Sequence, residues 1–432
     1  FRFLKDNVKN GYFEELIRTY LIENRHAAVI TMIPKVNLTA MQDEKTRKKL
    51  EEYKASLSEE EIKKIIADTA HLKEYQDEPS TQEELLSIPM LKREDIGREA
   101  PKLYIDEKQS DCVKIIHSNI FTNKIAYINL SFDCKAVPER LIPYLGLLRN
   151  VLGLIDTDSH EYADLFNEIN INCGGLATSS TVYTNDKDLS KYQIRYEVKA
   201  KALYEKISFV LDTALEIMYT SHFDDYKRMK EILSQMKSRL QSRMTGAGHV
   251  AAMSHAMAQF SPSVYYSNLT SGIEHYKFID GLESHFEEKK EEIRDALKEL
   301  TEIIFDKNNL MVSLTADEEG LKAFETEFVK FTEKLNAKER KAAVREYVPA
   351  KSKNGFMTSS QVNYVARCGN YRKTGYEYTG AFQILKTIFA YDYLWLNIRV
   401  KGGAYGCMSG FYKNGDSYLV SYRDPNIKET NE

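Results

Sequence analysis

One pattern occurs twice in this sequence and limits what the chain can fold into. The segments YADLFNEININCGGLATSS and YDYLWLNIRVKGGAYGCMSG each predict a helix, a glycine pair and a β-strand. When Gly174-Gly175 is laid on Gly402-Gly403, the apolar helix positions fall into rough register. Internal self-similarity indicates repeated structural units. We therefore predict α+β domains in tandem, homologous to each other.

Both copies are surrounded by alternating strand and helix patterns. Around the first copy, CVKIIHS, IAYINLSFD and YQIRYEVKA have the composition and alternation of strands, and DDYKRMKEILSQMKSRLQSRM is a long amphipathic helix. Around the second copy we predict a strand at 355–370, a helix in GAFQILKTIFAYDYLWLNIR and further strands near the end. The predicted fold class is α+β, each domain having a mainly antiparallel sheet packed with helices.

The segment at 42–78 has a different composition. It is rich in Glu and Lys and contains neither Gly nor Pro, which favours long helices. Ser58 followed by Glu61 is a capping-box pattern that begins a second helix, so the segment predicts a helical hairpin that connects two globular parts. Before it, YFEELIRTYLIEN predicts a helix and HAAVITMIP a strand, which alone cannot bury both faces.

These patterns predict four parts of the chain. Residues 1–38 would be the tail of a preceding domain, and residues 39–95 the helical hairpin linker. Residues 96–340 would form one α+β domain without a metal. Residues 341–432 would be the N-terminal part of a further α+β domain, which is shorter than its homologue and so apparently truncated.

Composition excludes several classes of partner. A formal net charge of -4 in 432 residues gives no electrostatic reason to expect a nucleic acid. No apolar run is long enough to span a membrane, so we expect no membrane partner. The five cysteines are an odd number and have no metal-ligand spacing, which favours free thiols in a reducing, cytoplasmic location.

The histidines do not form a recognisable metal motif. Neither H-E-x-x-H nor H-x-x-E-H occurs. HEYAD at 160–164 has Asp, and HFEEK at 285–289 has Lys, where the second His would stand, and we interpret both as surface segments. His249 and His255 are six residues apart and would lie on different faces of a helix. We predict no metal bound by this chain.

Two polar residues flank the second glycine pair. Arg399 would supply a fixed fork of donors and Tyr405 a phenolic donor, a pair suited to a peptide carbonyl or its developing oxyanion. They lack a nucleophile and hydrolyse nothing alone. The simpler interpretation is a helix end with a C-terminal cation, a glycine turn and a half-buried strand tyrosine.

A family resemblance favours the functional interpretation. The motif R-x-x-G-G-x-Y from Arg399 to Tyr405 resembles the presequence-protease and falcilysin branch of the pitrilysin/insulinase zinc metallopeptidases. GIEHYKFIDGLESHFEEKKEEI, LMVSLTAD and the Glu/Lys-rich hairpin resemble the same branch, and the similarity covers nearly the whole chain.

The resemblance implies a clamshell of four homologous α+β domains whose halves are joined by the hairpin. This chain would be the C-terminal half: the end of the second domain, the hairpin, the third domain and part of the fourth. Zinc would be the cofactor of the full-length enzyme, held by an H-x-x-E-H motif in the N-terminal half, and Leu147–Leu152 stands roughly where the repeat would place that motif. Arg399 and Tyr405 would be catalytic and substrate-binding residues that enter on closure. The expected partners are the N-terminal half and short unstructured peptides.

Two alternatives remain at this point. The chain could be a non-catalytic scaffold or partner subunit of the same family, although the retention of both Arg399 and Tyr405 argues against this. It could also be an unrelated α+β interaction module, against which the hairpin and the repeated domain plan argue.

Overall fold

The chain divides into two compact units, Phe1–Lys92 and Arg93–Glu432. The structure, a computed structural model, describes residues 1–100, 102–188, 191–358 and 360–432. In the described residues no helix combines the length and the apolar composition needed to cross a bilayer.

The first unit is helical. Its two long helices meet at the predicted turn, where the Glu61 N–H donates to Ser58 Oγ over 3.2 Å and the Ser58 N–H donates to Glu61 Oε2 over 2.8 Å. The capping box is therefore confirmed. The strand predicted for HAAVITMIP is wrong: residues 26–34 are exposed and irregular, because no described strand pairs with them. The helices are α1 (Arg2–Asn7), α2 (Tyr12–Ile17), α3 (Leu38–Ser56), α4 (Glu59–Asp77) and α5 (Gln82–Ser87).

A six-stranded sheet organises most of the second unit. The strand order is β1-β2-β6-β3-β5-β4, and every neighbouring pair is antiparallel except β2 and β6. The mainly antiparallel sheet of the prediction is thus confirmed. The strands are β1 (Asp106–Ser110), β2 (Val113–Asn119), β3 (Ile125–Asp133), β4 (Leu176–Thr184), β5 (Tyr192–Leu203) and β6 (Leu310–Ala316).

Helices cover the apolar side of this sheet. In β6 the side chains alternate, with Leu310, Val312 and Leu314 buried and the residues between them half-buried, so one face of the strand meets the helical layer. Phe132 of β3 and Phe305 are both fully buried and contact edge to face. The helices are α6 (Ile142–Val151), α7 (Tyr162–Asn172), α8 (Ile207–Tyr219), α9 (Tyr226–Gly246), α10 (Gly248–Ala258), α11 (Pro262–Ser271), α12 (Ile273–Ser284), α13 (Phe286–Ile304) and α14 (Glu318–Glu333).

A three-stranded antiparallel sheet follows, in the order β7-β9-β8. It contains β7 (Ala366–Asn370), β8 (Gly406–Phe411) and β9 (Asp416–Tyr422), with helices α15 (Ala381–Ile388) and α16 (Lys428–Asn431). The strand predicted at 355–370 is shorter than expected, since pairing with β9 begins only at Ala366. Within that prediction, residue 359 lies outside the described residues.

The polar segment that precedes the three-stranded sheet is hydrogen-bonded to the domain of the six-stranded sheet. The Ala343 N–H donates to the Lys135 carbonyl over 2.9 Å. The Tyr347 hydroxyl donates to the Ala258 carbonyl over 3.1 Å, and the Ala350 N–H donates to the Gln259 carbonyl over 2.9 Å. This segment is therefore bound along the domain that precedes it.

Candidate active-site residues in the C-terminal part

The helix that carries Arg399 has a widened final part. After α15 the chain continues as π-helical turns over Phe389–Tyr393 and Trp395–Lys401. Such turns are rare in proteins, and those that occur are often found at functional sites. The helix ends at the glycine pair: Gly403 has φ +77°, a left-handed conformation that favours glycine, and its N–H donates to the Arg399 carbonyl over 3.0 Å.

The loop after β9 holds the glycine pair and Tyr405 from the other side. The Asn426 side-chain amide donates to the Gly402 carbonyl over 2.7 Å. The Tyr405 N–H donates to the carbonyl of Arg423 over 3.2 Å, and Arg423 itself is left-handed at φ +50°. The turn is thus held by one side-chain bond and one backbone bond from this loop, so Tyr405 has a defined place beside the end of the helix.

The structure brings Arg399 and Tyr405 together. The Arg399 guanidinium carbon lies 4.0 Å from the centre of the Trp395 ring and 5.6 Å from the centre of the Tyr405 ring. Both distances are within the range of cation–π attraction. The cation is therefore held between two aromatic faces, while Trp395 is 39% and Tyr405 66% exposed.

The polar atoms of both residues are available to a ligand. Across the described ranges, no carboxylate or carbonyl accepts a hydrogen bond from the Arg399 guanidinium, and the Tyr405 hydroxyl has no hydrogen-bond partner either. Nearby Cys407 is half-buried: burial raises the pKa of its thiol, and the positive charge of Arg399 opposes that rise. The pair can act as a donor site, but it contains no nucleophile.

An aromatic layer supports the Tyr405 ring. The Tyr422 ring contacts it edge-on, with 6.0 Å between ring centres, and His249 of α10 contacts Tyr422 edge-on at 4.8 Å. Burial lowers the pKa of His249, which favours its neutral form. Tyr364 completes the layer and donates its hydroxyl proton to the Thr245 carbonyl over 2.8 Å.

The sequence pointed to Arg399 and Tyr405, which the structure places side by side, and it missed the residues that surround them. Trp395 stands four residues before Arg399 in a helical pattern, a spacing that places two side chains on one face, so it could have been predicted. The sequence contains no local pattern that places Asn426 and Tyr422 near Arg399. They lie there because β9, which contains Tyr422 and precedes Asn426, pairs with β8.

The weaker histidine candidates have ordinary partners. His160 Nδ1 lies 2.8 Å from Glu216 Oε1, and His285 Nδ1 lies 3.1 Å from the Gly281 carbonyl. His249 contacts Tyr422, whereas His255 contacts Phe356. Within residues 1–100, 102–188, 191–358 and 360–432, no three His, Cys, Asp or Glu side chains are grouped so that they could share a metal ion.

Two protein-family models match this chain. The family described as associated with subfamily C of the M16 peptidases matches residues 32–282, and "PreP C-terminal domain" matches residues 353–432. The chain belongs to this peptidase family. Its sequence is that of the C-terminal half of the presequence-protease branch of the pitrilysin-type peptidases, and the resemblance seen in the motifs is confirmed.

Curated relatives agree with this assignment. The chain is 37% identical over 429 residues to Protein HypA of Clostridium perfringens, a match that covers 99% of this chain and 44% of that protein. It is 28% identical to presequence protease 1, chloroplastic/mitochondrial, of Arabidopsis thaliana, over 97% of this chain and 39% of the relative. The chain thus spans less than half the length of these relatives.

A solved structure supports the fold. A conserved protein from Enterococcus faecalis superimposes with a TM-score of 0.50 at 12% identity, over 74% of this chain and 75% of that one. At this identity the likeness concerns the fold alone. Family membership excludes the unrelated interaction module that the sequence left open.

Proposed function

We propose that this chain is the C-terminal half of a zinc metalloendopeptidase that degrades short unstructured peptides. In this proposal Arg399 and Tyr405 contact the peptide backbone and stabilise the oxyanion that develops during hydrolysis. The observation that carries the proposal is the guanidinium of Arg399, which has no hydrogen-bond acceptor among the described residues and is held between Trp395 and the exposed ring of Tyr405. A cation without an acceptor, fixed in place, is preorganised for an anionic transition state.

Each residue has a separate task in this proposal. The guanidinium donates N–H groups in a fixed plane, which suits a carbonyl oxygen as it gains negative charge. The phenol of Tyr405 donates a second hydrogen bond to the same region. The glycine pair carries no side chain at Gly402 and Gly403, so a peptide backbone can approach closely.

The metal belongs elsewhere in this proposal. The described residues of this chain do not fit a zinc site, because no suitable group of ligands occurs among them. Zinc would be held by the N-terminal half of the same polypeptide, so we expect this chain alone to be inactive. That half and unstructured peptides are the proposed partners, without nucleic acid or membrane.

The domain boundaries and the location are also proposals. We assign 1–38 to the second domain, 39–95 to the hairpin linker, 96–340 to the metal-free third domain and 341–432 to part of the fourth. A cytoplasmic location is inferred from the free cysteines, all five of which lack a disulfide. Several relatives are named as mitochondrial or chloroplastic proteins.

Peptide hydrolysis by the chain together with its N-terminal half tests the proposal. We expect Arg399→Ala and Tyr405→Phe each to lower kcat/KM by about a hundredfold or more while zinc content stays unchanged. The matched control is Tyr391→Phe, which alters a tyrosine that is 69% exposed in the same helix. Normal turnover in both variants, with zinc bound, would instead support the non-catalytic scaffold.

A further inference from the structure

Arg423, in the loop after β9, has a backbone conformation that is unfavourable for its residue type. Its φ is +50°, in the left-handed region that glycine adopts freely and that a residue with a Cβ disfavours. Non-glycine residues keep such a conformation only where the surrounding structure imposes it, and they are often found at functional sites. A glycine would fit this position with less strain, which indicates that the arginine side chain has a role of its own.

Hydrogen bonds on both sides of Arg423 impose this conformation. Its carbonyl accepts the Tyr405 N–H over 3.2 Å. The next residue, Asp424, is fully buried and exchanges two backbone hydrogen bonds of 2.9 Å with Asn363. Asp424 Oδ1 also accepts the Asn426 N–H over 2.8 Å. The loop is thus held before and after Arg423, and the arginine has a fixed place next to Tyr405.

The Arg423 side chain extends the group of rings and cations around Arg399. Its guanidinium carbon lies 5.6 Å from the centre of the Tyr422 ring, whose own centre lies 6.0 Å from that of the Tyr405 ring. Arg423 is exposed, and in the part of the chain that the structure describes its guanidinium has neither a hydrogen-bond acceptor nor an ion-pair partner. We call the whole group the cation–aromatic row: Trp395, Arg399, Tyr405, Tyr422 and Arg423.

We propose that Arg423 binds an acidic side chain of the peptide, so that the site favours peptides with Glu or Asp near the cleaved bond. A planar guanidinium can donate two parallel hydrogen bonds to one carboxylate, and an aromatic face beside it favours a defined orientation of the plane. The neighbouring carboxylate of Asp424 is buried and accepts the Asn426 N–H instead. The assignment rests on the proposed function, because it requires the peptide backbone to lie at Arg399 and Tyr405.

The single tryptophan of the chain allows a binding test without hydrolysis. Trp395 is 4.0 Å from the Arg399 guanidinium carbon, so its fluorescence reports on peptides bound at the cation–aromatic row. The probes are Ser/Ala peptides blocked at both ends, with a single Glu or Gln placed at each position in turn. We expect the best Glu peptide to bind about tenfold more tightly than its Gln counterpart, the effect of one charge-assisted contact. Arg423→Gln and Arg423→Gly should each remove this difference.

Lys124→Gly is the matched control for the glycine variant. Lys124 is also a cation with a positive φ, +63°, and its carbonyl also accepts the N–H of a tyrosine, Tyr204, over 3.1 Å. It lies between β2 and β3, so its replacement should leave the affinities of both peptides unchanged. Neither glycine variant should lower the Tm, because glycine adopts a positive φ without steric cost. A lower Tm in Arg423→Gly, together with equal weakening of both peptides, would show a structural role and overturn the proposal.

Hydrolysis by the chain together with its N-terminal half gives a second measurement. The ratio of kcat/KM for the Glu peptide to that for the Gln peptide should be about ten in the wild type and near one in Arg423→Gln. Equal affinity for the Glu and Gln peptides at every position, or a preference for Glu that persists in Arg423→Gln, would overturn the proposal.

The two measurements separate this proposal from the proposed function. If the fluorescence titration shows a preference for Glu that depends on Arg423, while Arg399→Ala hydrolyses peptides normally, the acidic-residue site is supported and the catalytic role of Arg399 is wrong. If Arg399→Ala loses hydrolysis and the wild type binds the Glu and Gln peptides equally, the proposed function is supported and the role of Arg423 is wrong.

Discussion

The two helix–glycine–strand copies share a backbone plan and differ in the side chains placed on it. With the glycine pairs superimposed, Ile171 stands in the place of Arg399 and Ala177 in the place of Tyr405. The first copy enters its edge strand immediately, since β4 begins at Leu176. In the second copy β8 begins only at Gly406, so Tyr405 precedes the ladder and stays exposed.

The polar side chains near the two glycine pairs differ in their hydrogen bonding. Near Gly174-Gly175, Glu197 is buried on β5, the strand that pairs with β4. Its carboxylate accepts hydrogen bonds from Asn129, Thr181 and Tyr183. Burial alone would raise the pKa of Glu197, but the hydrogen bonds from these residues and Lys199 outweigh it and lower the pKa to about 2. The Glu197 carboxylate is thus satisfied within the protein, whereas no described residue hydrogen-bonds to the Arg399 guanidinium or to the Tyr405 hydroxyl. The two copies therefore share a backbone plan and differ at the positions of Arg399 and Tyr405.

Exchanging the side chains between copies should have the largest effect. In the enzyme with its N-terminal half, Arg399→Ile and Tyr405→Ala give the second copy the residues of the first. We expect each to lower kcat/KM by about a hundred- to a thousandfold, because under the proposed function each variant loses a donor to the transition state. Steady-state peptide hydrolysis measures the effect.

The reverse exchange is the control for that prediction. Ile171 is 75% exposed, so Ile171→Arg should be tolerated and leave kcat/KM unchanged. If Ile171→Arg lowered activity as strongly as Arg399→Ile, the distinction between a structural and a functional copy would be wrong.

The domain of the first copy should respond to pH through its stability. The native pKa of His275 is about 3, mainly because of burial, and the unfolded value is near 6.5. Between these values the unfolded state binds more protons, so stability falls as pH decreases below about 6.5. Integrated to pH 5, the loss is about 2 kcal/mol relative to pH 7. Urea unfolding should show this loss of unfolding free energy between pH 7 and pH 5 in the wild type. In His275→Leu the loss over the same pH range should be smaller by about 2 kcal/mol. An unchanged pH dependence in the variant would contradict a neutral buried imidazole.

The second glycine of each pair allows a comparison between the copies, because both glycines have a positive φ. Gly175 has φ +131° and Gly403 has φ +77°, so alanine should destabilise the protein at either position by about 1–2 kcal/mol. An added Cβ at Gly403 would meet Pro425 only at 3.5 Å, an ordinary contact. We expect Gly403→Ala alone to lower kcat/KM, since relaxation of the positive φ at residue 403 would shift the turn that positions Tyr405 two residues later. Equal activity losses in both variants would mean that the effect comes from stability.

The sequence predicted the repeated plan well because glycine pairs and apolar periodicity are local signals. The capping box at Ser58 is a local signal of the same kind, and so is the spacing of Arg399 and Tyr405 around the glycine pair. The strand proposed at 26–34 failed because a strand depends on a partner, which local pattern does not reveal. Asn426 and Tyr422 were missed for a similar reason, since the pairing of β8 with β9 brings them to the site.

Trp395 should give the smallest effect, because it acts on Arg399 and not on the peptide. An exposed cation–π contact contributes about 0.5–1 kcal/mol, so Trp395→Leu should lower kcat/KM by about two- to fivefold, and Trp395→Phe by less. In an Arg399→Ala background the loss should disappear, since residues that act through one another are not additive. Tyr391→Leu is the control for exposed aromatic area in this helix. If Trp395→Leu still lowered kcat/KM in the Arg399→Ala background, Trp395 would contact the substrate directly. The two copies would then differ at a third functional position.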